Sequence, residues 1–160
     1  MDVKSHEADS TVMRRLGALE QLYWFYDRAT PFHFVMAAEV EGKTQAGDWR
    51  EALDRFQQRY PLLTAAVRQG LGKGLYFARD GQARIPLRVV AGENVLGWER
   101  EAAVEMSVRF RPGDAPLLRA TVILRPESAV IMLAVHHAIA DGVSIAHALE
   151  DLLQLVLRTG

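Results

Sequence analysis

Seven consecutive apolar residues, Ala129-Val130-Ile131-Met132-Leu133-Ala134-Val135, run directly into His136-His137-Ala138-Ile139-Ala140-Asp141-Gly142. A run that is apolar at odd and even positions alike does not fit a strand with one wet face; it predicts a strand buried inside a sheet. Past Gly142, residues Ile145, Ala148, Leu149, Leu152, Leu153 and Val156 recur at helical spacing. That pattern predicts a helix from about Val143 to Leu157 covering the sheet. The paired histidines and the Asp-Gly therefore occupy a strand-to-helix corner, with His137 at the strand's end.

The rest of the chain alternates in the same manner. A polar stretch over residues 1–10 reads as a flexible tail, and residues 11–160 read as a single domain. A short extended piece leads into a helix near Ala18 to Asp27, with Leu19, Leu22, Tyr23 and Tyr26 on one stripe. That stripe and the aromatic residues 23 to 26 are assigned to the core rather than to the lining of a binding channel. His33 to Val40 alternates as a strand closed by Glu41-Gly42. Asp48-Trp49-Arg50-Glu51 opens a second helix in the manner of a capping box, with Trp49, Ala52, Leu53, Phe56 and Tyr60 on its apolar side and Pro61 as its stop. Leu63 to Arg68 and Leu75 to Arg79 form a hairpin around Gly70-Leu71-Gly72-Lys73-Gly74, Ile85 to Val90 is a further strand, and Asn94 caps a third helix running to about Val108. The glycine cluster lacks the Gly-Lys-Ser/Thr ending of a phosphate loop and sits between strands, so it predicts a hairpin tip and no nucleotide site. The expected fold is α/β, a two-layer sandwich with helices packed on a mixed, mostly antiparallel sheet.

The residue types at the corner suit general-base chemistry. An imidazole titrates at about 6.5 when unperturbed, so near neutral pH it can accept a proton from an alcohol or amine and later return it. Asp141 places a carboxylate at the same corner, and Gly142 permits backbone angles that a side chain resists. Ser144 reads as a helix cap rather than a nucleophile. A metal site built from His136, His137, Asp141 and His147 is disfavoured, because adjacent strand residues point to opposite faces.

The corner resembles the signature His-His-x-x-x-Asp-Gly of the condensation-domain and CoA-dependent acyltransferase superfamily. Further blocks are similar to that family in the same order: Arg15-Leu16-Gly17-Ala18-Leu19-Glu20 with Trp24, then Arg59-Tyr60-Pro61-Leu62-Leu63, then Phe110 through Ala120. The resemblance covers about residues 11 to 158 and matches only the N-terminal half of the family's two-lobed, chloramphenicol acetyltransferase-like fold. It implies that His137 is the general base for an acceptor hydroxyl or amine attacking a thioester carried by CoA or a carrier protein. It also implies that His136 is structural and that Asp141, with Gly142, supports the site through a charge pair. The co-substrate is then an acyl-CoA or acyl-carrier-protein thioester, with no bound cofactor and no metal. Leu63-Thr64-Ala65-Ala66-Val67 lacks the two arginines of the peptide-forming members, which tilts the acceptor toward a hydroxyl. Because one wall of the cleft has no counterpart here, low activity alone and a complementing half, a second chain or a homo-oligomer are expected. Two other readings stand beside this one: a module that binds an acyl carrier or partner without turnover, and a structural subunit in which the motif is a relic.

Composition narrows the partners. A net charge of −1 over 160 residues leaves no electrostatic footprint for nucleic acid or an anionic membrane surface. The absence of cysteine excludes disulfides, thiolate metal ligation and a thiol nucleophile. No apolar run reaches membrane-spanning length and the first residues lack a signal-peptide core, so a cytoplasmic location is the default expectation.

Overall fold

A computed structural model describes residues 11–70, 74–91 and 97–158. The assigned tail over 1–10, the hairpin tip at 71–73 and the Asn94 cap lie outside these residues. In chain order the elements are β1 (Thr11–Arg15), α1 (Ala18–Ala29), β2 (His33–Glu41), α2 (Ala46–Arg59), a 3-10 turn (Pro61–Thr64), β3 (Ala65–Gly70), β4 (Gly74–Arg79), β5 (Leu87–Ala91), α3 (Trp98–Ser107), β6 (Leu118–Leu124), β7 (Ser128–His136) and α4 (Gly142–Leu157).

The apolar run forms β7, which sits between β2 and β6 in a four-stranded sheet of order β2-β7-β6-β5. Both of its pairings are antiparallel, and only β5 and β6 run parallel. The sheet is thus mixed and mostly antiparallel. Its two faces explain the two-sided apolarity of the run. Ala129, Ile131, Leu133 and Val135 pack toward α2 and α4 in a core that includes Trp49, Phe56, Ile145 and Leu152. Val130 and Met132 point the other way, joining Ile123 and Ala102 of α3. Fully burying one such side chain is worth roughly 1.5–3 kcal/mol, so the strand is held by its layers as much as by its ladders.

The predicted hairpin forms a second, three-stranded sheet of order β1-β4-β3. A cluster of Leu16, Trp24, Phe77, Phe110, Leu117 and Ala138 joins this sheet to α1 and to the histidine loop. Three boundaries differ from expectation. Leu63 and Thr64 belong to the 3-10 turn begun by Pro61 rather than to β3. Ile85 precedes β5 because α2 takes its backbone groups: its N–H donates to Gln57 Oε1 at 3.2 Å and its carbonyl accepts from Arg50 at 2.8 Å. The helix α2 starts at Ala46, two residues before Asp48, whose carboxylate reaches back to accept the Gln45 N–H at 2.8 Å. The third helix, α3, ends at Ser107 with Val108 as its C-cap, as expected.

The largest departure is the roll of α1. Leu19 and Leu22 are each 57% exposed, Tyr26 is 55% exposed and Phe25 49%. The helix instead buries Trp24 and Asp27. Trp24 fills the cluster beneath the small sheet, and Asp27 finds hydrogen-bond donors below the helix, so this narrow face, rather than the broad apolar stripe, sets the roll. Among the described residues no helix is long and apolar enough to cross a membrane.

Candidate active site

Alternation along β7 sends the two histidines to different surroundings. His136 ends the strand, is fully buried, and rests against Trp24 at 5.3 Å and Phe110 at 6.1 Å between ring centroids. Its Nδ1 accepts the Ala138 N–H at 2.9 Å, and its carbonyl accepts the Ile139 N–H at 3.1 Å, closing a tight turn. With Nδ1 accepting, the neutral ring carries its proton on Nε2. Among the described residues that atom has no hydrogen-bond partner, and Asp27 Oδ1 stands 3.7 Å from it. Burial pushes the His136 pKa down to about 4, with Asp27 opposing the fall and His33 and His137 adding to it. At neutral pH the ring is uncharged and acts as a scaffold for the turn.

His137 follows the strand and is half-buried. Its N–H donates to the Phe32 carbonyl at 3.3 Å. Its ring lies among Phe34, Phe32 and Tyr23, at centroid distances of 4.5, 4.7 and 5.7 Å. Partial burial holds its pKa below the usual histidine value, opposed by the Ala140 carbonyl and the Asp141 charge. A neutral, part-exposed imidazole on an aromatic backing is a competent proton acceptor at neutral pH.

Asp141 caps α4: its Oδ1 accepts the Ser144 N–H at 2.7 Å, and this bond keeps the exposed carboxyl below the usual range. Ser144 thus helps cap the helix, as expected, with Asp141 as the N-cap residue. Among the described residues no cation lies within 4.0 Å of the Asp141 carboxylate. The arginine-bearing segment is engaged elsewhere: Arg59 lies 3.4 Å from Asp151 of α4, and the Tyr60 hydroxyl donates to the same carboxylate. Ala65 and Ala66, in the stretch that lacks the family arginines, are buried. Gly142 is also reassigned. Its φ is not positive, and a Cβ there would meet nothing within 4 Å, so neither conformation nor space requires glycine for folding. His147 is exposed on α4 beside Glu150, away from the corner. Among the described residues no three His, Asp or Glu side chains converge as a metal-binding group.

Two features escaped the sequence. Asp27, buried on α1, accepts the Phe32 N–H at 2.5 Å, and its carbonyl accepts from Arg109 at 3.1 Å. His33 of β2, opposite His136 in register, donates from Nε2 to the Glu105 carbonyl at 3.2 Å. The available signal for Asp27 was its spacing of three from Trp24, which puts both on one helix face. Beside the corner lies an apolar cavity of about 160 Å³ lined by Phe56, Tyr60, Leu118, Val135, Ile139 and Ser144. His137 stands next to this cavity's wall without lining it.

No protein-family model matches the chain. It is 32% identical over 117 residues to tyrocidine synthase 3 of Brevibacillus parabrevis, an alignment covering 72% of this chain and 2% of that synthetase. The first condensation domain of the calcium-dependent antibiotic synthetase, solved with a substrate analogue, superposes with a TM-score of 0.77 at 18% identity, covering 88% of this chain and 36% of that one. The tallysomycin biosynthesis protein TlmII gives a TM-score of 0.78 at 18% identity over 91% of this chain and 36% of its own. The chain therefore spans little more than a third of the solved proteins it matches. Sequence likeness to tyrocidine synthase 3 and the superposition on a condensation domain agree, and the chain has the α/β fold of the condensation domains.

Proposed function

We propose that this chain carries the catalytic histidine of a condensation-type acyltransferase, in which His137 serves as general base. The observation that carries the reading is the His137 imidazole itself, part-exposed, held below its ordinary pKa and seated on Tyr23, Phe32 and Phe34 at a strand-to-helix corner. An acceptor hydroxyl or amine gives its proton to His137 as its oxygen or nitrogen bonds to the thioester carbonyl carbon. The tetrahedral adduct then collapses, the carbon–sulfur bond breaks, and the proton passes from the imidazolium to the leaving thiolate. The thioester is carried by CoA or by a carrier protein, and the apolar cavity beside the corner suits an acyl chain. His136 and Asp141 shape the turn and the helix start around the base.

The exposed face of α1 supports a further part of this reading. Leu19, Leu22, Phe25 and Tyr26 are about half exposed, and Tyr26 stacks edge-on against Phe32, which touches His137. A second wall, from the rest of a longer chain or from another chain, closes over this surface and holds the substrates in reacting geometry. The test is acyl transfer from acyl-CoA and acyl-carrier thioesters to hydroxyl and amine acceptors in the complete assembly. His137→Ala lowers turnover by roughly 10²–10⁴-fold, the usual contribution of a positioned base. Undiminished turnover in a folded His137→Ala assembly overturns the assignment.

A further inference from the structure

Beneath the corner, one buried carboxylate reaches both histidines. Asp27 Oδ1 accepts the Phe32 N–H at 2.5 Å, the Phe32 carbonyl accepts the His137 N–H at 3.3 Å, and the Phe32 ring lies 4.7 Å from the His137 ring. The same Oδ1 stands 3.7 Å from His136 Nε2, a buried atom with no hydrogen-bond partner among the described residues. Arg109 fixes the Asp27 carbonyl from the far side at 3.1 Å. An acidic side chain turned into the molecule from a helix whose apolar stripe faces out is costly unless it has such donors. Nothing in the α1 packing alone calls for a carboxylate at this position.

From this geometry we infer that Asp27 is a positioning residue for the paired histidines. It pins the Phe32 peptide on which His137 rests, and its carboxylate lies 3.7 Å from Nε2 of His136, whose Nδ1 sets the turn after the strand. Asp27 touches no reacting atom and acts through Phe32 and His136. The inference takes its functional meaning from the role proposed for His137, but its geometry can be read without turnover.

The experiment is ring-nitrogen correlation NMR on the whole chain, with Asp27→Ala and Asp27→Asn compared, followed by kcat and KM in the complete assembly. Asn keeps an oxygen for the Phe32 N–H, whereas Ala does not. In Asp27→Ala the His137 ring signals move and kcat falls by about 10-fold or more with KM little changed, as expected when a base is displaced by a fraction of an ångström. Asp27→Asn restores both. Amide exchange in the unmodified chain gives a readout independent of any variant, because the Phe32 N–H is protected by its carboxylate partner. A folded Asp27→Ala chain with unmoved His137 signals, or a Phe32 amide that exchanges like a free surface amide, overturns the inference. An assembly with no acyl transfer in which Asp27→Ala still moves the His137 signals supports the positioning role and overturns the proposed function instead.

Discussion

Acid should weaken this fold through His136 in a way that can be isolated. The ring titrates at about 4 when folded, against 6.5 as the ordinary value expected once the chain is unfolded. Because the folded value is the lower one, the unfolded chain binds the proton first. The stabilising contribution of the neutral ring is complete above about pH 6.5 and is lost progressively as pH falls toward 4. At about 1.4 kcal/mol per pH unit between the two titrations, the loss is roughly 3 kcal/mol. That is a large part of the 5–15 kcal/mol typical of a whole domain. The cause is burial, with Nε2 in an aromatic pocket, without a hydrogen bond among the described residues, and the Asp27 carboxylate at 3.7 Å offsetting only part of it. Denaturant unfolding curves at several pH values between 7.5 and 4 measure the effect. His136→Asn is the control: its side-chain oxygen can take the Ala138 N–H as Nδ1 does, but it does not titrate. The variant starts less stable, and its stability should fall with acid less steeply than that of the parent, by roughly 3 kcal/mol over the interval. Parallel curves for parent and variant would refute the reasoning.

Two further predictions follow from the corner and from α1. Gly142→Ala should leave stability unchanged or raise it by up to about 1 kcal/mol, because its backbone is ordinary and the added methyl meets open space. Thermal melts check this, and a loss of acyl transfer without a loss of stability would locate the need for glycine in substrate room rather than in folding. Leu22→Lys should change stability by no more than about 0.5 kcal/mol, as at other surface positions. A denaturant midpoint showing the roughly 2–5 kcal/mol loss of a core leucine would mean that the roll of α1 is wrong.

That helix marks the boundary of what periodicity can tell. Spacing located α1 correctly and identified its apolar stripe, but a stripe states only that a surface is apolar, not which surface covers it. The roll is decided by Trp24 and Asp27, whose spacing of three is a fainter pattern than the apolar stripe that competes with it. The strand β7 was legible because seven apolar residues in succession leave no wet face to misassign. The helix α4 was legible because its apolar face is also its buried face: Ile145, Ala148, Leu149, Leu152 and Val156 all pack inward. At the corner, the motif placed His137 and His136 correctly as neighbours with different surroundings. It did not divide the roles within the cap, because Asp and Ser both suit a helix start and only geometry shows that Asp141 accepts while Ser144 donates. The partners of Ile85 on α2 and of His137 on Phe32 are backbone groups distant in sequence, which no local pattern encodes.

The central position of β7 has a consequence for motion. Its amides are shielded by ladders to β2 and β6 on its two edges and by helices on both faces, so they should be among the last in the molecule to exchange with solvent. His136 is the final residue of that strand, and His137 is the first residue beyond it. The histidines thus sit at the border between the slowest-opening part of the chain and a loop that begins at its edge. Fluctuations that open that loop can then occur without shifting the end of the strand from which the imidazole is presented.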